Sequence, residues 1–113
     1  MLNVYFAFAG PTGNVLNYFG NSEAAIGGLT VTRTAAGQYT CVFLTKHKIE
    51  PDQQPIIQVS SSGPSGAAGI DNVISSNVVF VPTMSEFTTQ VTLNIETYGG
   101  ALDPDIMMVS YAV

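Results

Sequence analysis

The chain has 113 residues, a formal net charge of −5, one cysteine, one histidine and only three basic residues, Arg33, Lys46 and Lys48. One domain spanning residues 1–113 is expected, and Cys41 alone excludes an intrachain disulfide framework or a cysteine-based zinc cluster. Three cations cannot neutralise a run of phosphates, so nucleic acid is excluded as a partner, and a charged content of 10%, against about 25% in ordinary domains, points to an outside hidden in permanent contacts.

The first apolar run, "VYFAFAG", is followed by small residues but preceded by no basic segment, so it reads as a first β-strand over 2–9 rather than as a signal sequence. A second short strand is expected at 15–19. The segment "SEAA" (22–25) has room for one helical turn. Strands over 28–34 and 38–45 then form a hairpin turning at Gly37. In it Leu29, Val31 and Arg33 share one side, with Thr30, Thr32 and Thr34 opposite. The second arm is apolar on both faces. Tyr39, Cys41 and Phe43 are assigned to the core, and Val42 and Leu44 to a subunit or packing interface.

The polar stretch "KHKIEPDQQP" follows, carrying His47, then strands at 55–61, 72–82, 86–96 and 106–112. Thr89 breaks the alternation of the seventh strand, so a bulge is expected near Thr88–Gln90. "VVFV" (78–81) and "IMMV" (106–109) are apolar throughout, and a second copy of the chain is the simplest cover for their outer faces. Valine, isoleucine, threonine and aromatics dominate these runs, and turn residues separate them at the spacing of an antiparallel β-sandwich of about eight strands, jelly-roll-like in form. No run approaches the roughly 20 apolar residues of a membrane-spanning helix, so no membrane insertion is expected.

Few residues suggest chemistry. His47 between two lysines reads as a solvated loop histidine, the alternative being a metal on a three-fold axis of three copies. "DPD" (103–105) reads as a turn launching the last strand, with Asp103 bonding nearby backbone, rather than as a calcium site. "GPSGAAG" (63–69) lacks the strand–turn–helix frame of a phosphate loop. Cys41 reads as a buried structural thiol. Core packing accounts for Tyr5, Phe43, Phe80 and Phe87, whereas Tyr18, Phe19 and Tyr98 flank loops where a ring can meet sugar or protein. The expectation is therefore no catalytic residue, cofactor or metal. The candidate partner-contact loops are 61–70 and 97–104, represented by Ser61, Ser62, Gly63, Tyr98 and Asp103.

The order of these pieces resembles the small β-sandwich domain at the ends of phage tail fibres and in related virion surface proteins. "VYFAFAG", "GNVLN", the hairpin "LTVTRTAAGQYTCVF", "EPDQQPIIQVSSS", "SEFTTQVTL" and "LDPDIMMVSYAV" carry the resemblance. It implies a homotrimer, non-enzymatic, made in the cytoplasm of the infected bacterium and located on the virion surface. With no stalk-like segment ahead of the first strand, the expectation is a decoration or cement protein whose partner is phage coat protein. The alternative is the receptor-binding tip of a tail fibre, partnered by a fibre or baseplate protein and a host surface glycan or protein.

Overall fold

The computed structural model describes residues 2–21, 28–45, 53–62, 71–80, 89–98 and 103–113, and for 71–80, 89, 97 and 98 the backbone. Every regular element among them is a strand: β1 (Asn3–Ala9), β2 (Val15–Gly20), β3 (Thr30–Ala35), β4 (Gln38–Thr45), β5 (Ile56–Ser62), β6 (Asp71–Phe80), β7 (Thr89–Tyr98) and β8 (Ile106–Ala112). They form two antiparallel four-stranded sheets, sheet A in the order β2-β1-β8-β5 and sheet B in the order β3-β4-β7-β6. Among the described residues no helix is long and apolar enough to cross a membrane.

Alternation explains which faces meet. Val4, Phe6 and Phe8 of β1, with Met107, Val109 and Tyr111 of β8, point inward from sheet A and are buried. Tyr39, Cys41 and Phe43 of β4, with Val91, Leu93 and Ile95 of β7, do so from sheet B. Aromatic contacts join the layers: Phe8–Tyr39 at 4.9 Å between ring centroids, Phe6–Phe43 at 6.3 Å and Phe43–Tyr111 at 5.5 Å. The last two are edge-to-face, the arrangement ring quadrupoles favour. These contacts set β1 and β8 over β4, and Gly13 of the β1–β2 turn lies against Val31 and Arg33 of β3, so β2 is on the β3 side and β5 on the β6 side. Tyr39, Cys41 and Phe43 thus lie in the core, as the alternation predicts.

Two tight turns set the local wiring. Gly37, at φ 72°, completes the two-residue connection between Ala35 and Gln38, and Gly13, at φ 78°, closes the β1–β2 turn through its N–H to the Ala9 carbonyl at 2.7 Å. A side chain at either position is strained by that backbone conformation. These hairpins stay within one sheet, as does the β6–β7 pair. A jelly roll instead wraps one long hairpin, so that nearly every connection crosses between sheets. The jelly-roll-like wiring is therefore not observed: three consecutive strand pairs, β1–β2, β3–β4 and β6–β7, are neighbours within a sheet.

Two further expectations change. Tyr5 lies on the outer face of β1, since Val4 and Phe6 take the inward positions on either side of it. The register from Thr89 onward is continuous on both sides of β7. Thr88 lies outside the described residues, and among those described the bulges fall in β2, where Leu16 is the extra residue between partners of Ala7 and Phe8, and in β3, where Thr34 is extra. "SEAA", His47, Gly63 and Phe87 lie outside the described residues, as does the 63–69 glycine segment.

Candidate functional site

Two places concentrate side chains that do more than fill the core. The first is a knot at one end of the molecule, where the turn before β8 meets the β3–β4 hairpin. Asp103 accepts hydrogen bonds from Arg33 Nε (3.1 Å to each oxygen) and Nη2 (2.9 Å), from the Gly37 N–H (2.8 Å) and from the Tyr39 hydroxyl (2.9 Å). That hydroxyl also lies 2.8 Å from the Gly10 carbonyl, so its one proton is shared between two acceptors. The Gly10 N–H in turn donates to the Asp105 carbonyl at 3.1 Å. A Cβ on Gly10 would collide with the Pro104 carbonyl oxygen and stand 2.7 Å from its carbon.

The electrostatics follow from this geometry. The Arg33 guanidinium, with help from Gly37 and Tyr39, holds the Asp103 carboxyl below the usual carboxylate range. Burial, reinforced by the neighbouring carboxylate, pushes the Tyr39 phenol well up, so it stays a donor at any ordinary pH. Asp103 thus spends its carboxylate on tying two distant chain segments together, not on the local backbone. A residue 70 positions from Arg33 cannot be paired with it by reading sequence.

The second place is the outer face of sheet A. In register across the four strands lie Phe19, Tyr5, Ser110 and Gln58, and beside that row Asn3, Ala112 and Ile56. The next rows add Asn17, Ala7, Met108 and Ser60, then Ala9, Ile106 and Ser62. None of these residues is charged. Phe19 is 66% exposed, Ile56 65% and Tyr5 38%. A concavity of about 540 Å³ spans the face, lined by Asn3, Tyr5, Phe19, Asn21, Ile56, Gln58 and Ser110 among others. Aromatic faces and neutral amides of this kind suit an uncharged ligand or surface.

The outer face of sheet B differs in chemistry. Val42 and Leu44 are half-buried there, in rows with Thr30, Thr32, Thr40, Gln90, Thr92 and Asn94. Cross-strand bonds hold these polar groups, Thr40 Oγ1 to Asn94 Oδ1 at 3.1 Å and Gln38 Nε2 to Glu96 Oε1 at 3.2 Å. Of the loop residues, Ser61 is half-buried in β5, and Ser62 ends that strand with its carbonyl accepting from the Asp105 N–H at 2.8 Å. Tyr98 ends β7 opposite Asp71, and its side chain lies outside the description.

Burial pushes the Cys41 thiol up to about 12, leaving it a packed side chain rather than a nucleophile at neutral pH. Among the described residues no three or more His, Cys, Asp or Glu side chains come together as metal ligands. The hydroxyls of Tyr18 and Tyr111 are buried without a hydrogen-bond partner among the described residues, and burial raises both phenols. Sequence reasoning missed Tyr5, Ile56 and Ile106 as surface residues. The available signal was strand parity: each neighbours an inward apolar residue on its own strand, Tyr5 beside Phe6, Ile56 beside Ile57 and Ile106 beside Met107.

The chain belongs to the DUF807 family, described as Coxiella burnetii protein of unknown function, whose model matches residues 1–113. No curated protein and no solved structure matches it.

Proposed function

We propose that this chain is a non-catalytic structural protein that acts by surface burial: a β-sandwich that self-associates and seats the outer face of sheet A on another protein. The observation that carries this is the charge-free outer face of sheet A, with Phe19, Ile56 and Tyr5 turned to solvent. Its specific form, drawn from the resemblance to fibre-tip and virion surface domains, is a decoration protein on a phage particle, bound to coat protein. The resemblance implies three copies per unit. Each seated copy gains modest apolar contact, and linkage of several copies multiplies it.

A second reading is a fibre-tip module that adsorbs to the bacterial surface. The concavity lined by Tyr5 and Phe19 with Asn3 and Gln58 favours it, since ring faces and amides match the C–H faces and hydroxyls of a neutral glycan.

Copy number in purified phage particles from the encoding bacterium separates these readings. Copies in proportion to coat protein support decoration, a handful confined to the tail supports the fibre tip, and absence from particles refutes both. In the same particles Phe19→Asp abolishes incorporation while Val42→Asp does not. The reverse result moves the contact to sheet B.

A further inference from the structure

Open β-sheets expose edge strands whose free N–H and C=O groups invite another strand, and natural proteins guard them with bulges, charges or proline. Among the described residues of this sandwich the bulges lie on one side only. The β2 and β3 edges, which neighbour each other, each carry a bulge, at Leu16 and Thr34, and β3 also carries Arg33. On the opposite side β5 pairs β8 in unbroken register from Ile56–Ala112 to Ser62–Ile106. There β6 pairs β7 without interruption from Asp71–Tyr98 to Phe80–Thr89. The sequence of β5, "IIQVSSS", holds no charge and no proline, and that of β6 holds one charge, Asp71, at its first residue. Among the described residues neither strand has a second pairing neighbour.

We propose that two copies of this chain join through the β5/β6 side, β5 running antiparallel to the partner's β5 and β6 to the partner's β6. This rests on the self-association in the proposed function. The occupant is a second copy because a two-fold axis perpendicular to the sheets brings each edge antiparallel to itself in both layers at once. Each four-stranded sheet then continues into eight strands. Nothing repels: β5 has no charge to oppose, and centred self-pairing sets Asp71 against the far end of the partner's β6 rather than against its like.

The size fits. Strands of seven and ten residues run about 24 and 34 Å, and two sheets about 10 Å apart make a side roughly 20 Å deep. That gives about 600 Å² per copy, at the lower bound of stable interfaces. It also covers Ile57 and Val59, which face the core but stay partly exposed at this edge. Two, rather than the three implied by the resemblance, is the number this side closes.

The test is native mass measurement of the full chain at ten micromolar, wild type against the double variant Gln58→Lys/Ser60→Lys. Centred β5 pairing sets these positions opposite each other, so like charges meet. Thr32→Lys on the guarded β3 edge is the control. A wild-type dimer that the control retains and the double variant weakens at least about 100-fold supports the proposal. Circular dichroism checks that the variant folds. Independently, wild-type β5 amides are expected to gain hydrogen-exchange protection with protein concentration, and concentration-independent protection overturns the proposal. A trimer, or a dimer indifferent to the lysines, overturns the edge contact while leaving self-association standing. A monomer removes both.

Discussion

Asp103→Asn tests whether the knot at the end of the sandwich holds the fold together. The amide preserves shape and one acceptor oxygen, but its NH₂ turns two donor hydrogens toward groups that are themselves donors. The part-buried Gly37 N–H (2.8 Å) and the Tyr39 hydroxyl (2.9 Å) lose a charged acceptor. The step from a charged to a neutral acceptor costs about 1 kcal/mol at each. The arginine arm is open to solvent and receives no weight. The sum is about 2 kcal/mol at pH 7, or about 8 °C in Tm for a chain of this size.

Acid supplies a second reading of the same group. Asp103 is held below its unfolded value of roughly 3.9. As pH falls, the unfolded chain therefore takes up the proton first. The carboxylate's stabilisation is complete above about pH 4 to 5 and is lost as pH drops through the folded value. Urea midpoints followed by far-UV circular dichroism at one fixed protein concentration, from pH 7 to 2, measure both effects. The variant is expected to be less stable at pH 7, with a gap that narrows as pH falls below the unfolded value of Asp103. Equal stability at pH 7, or a gap that does not narrow, refutes the reasoning.

Other outcomes follow from the same contacts. Gly10→Ala drives a Cβ into the Pro104 carbonyl, prising the β1–β2 turn from the segment before β8. Since backbone rather than a flexible side chain blocks it, a Tm loss above about 10 °C is expected, and a neutral Gly10→Ala means this approach is looser than described. Cys41, fully buried with its thiol pushed up to about 12, is expected to resist a thiol reagent at pH 8 until urea unfolds the chain. Prompt native labelling contradicts the packed core. Phe43→Ala removes the ring that touches both Phe6 and Tyr111 and is expected to cost about 3–5 kcal/mol by urea titration. A loss below about 1 kcal/mol shows the two sheets do not depend on that bridge.

The strands and their order were legible because β-branched and aromatic runs alternate with turn residues all along the chain. Gly37 told where a hairpin turns, since few other residues accept its backbone angle. The faces were only half legible. In "NVYFAFA" both parities are apolar, so Tyr5 could be assigned to either side, and volume decided: two phenylalanines and a valine went in. The wiring between sheets was not legible, because the alternation within a strand fixes which face is buried and not which sheet the strand joins. Nor was the knot, whose partners come from three separate stretches around Gly10, residues 33–39 and Asp103.

A low charge content has two physical meanings here, one for each outer face. On sheet B threonines, glutamines and asparagines stand with one carboxylate, Glu96, and cross-strand hydrogen bonds from Thr40 to Asn94 and from Gln38 to Glu96 keep that face polar. On sheet A the replacements are carbon. Phe19 and Ile56 alone, each about two-thirds exposed, offer roughly 120 Å² apiece, or about 6 kcal/mol together at 25 cal/mol per Å². Association costs about 4–15 kcal/mol in lost freedom, so this surplus offsets the cost of seating one copy but gives little net affinity. Joining copies first changes the arithmetic, because the second seat is then taken at the effective concentration of a tethered neighbour. Self-association through the bare edges is thus the step that makes the bare face useful. Loss of the edge contact, made in β6 of the other sheet so that Ile56 and Gln58 are left in place, is expected to weaken seating on a partner.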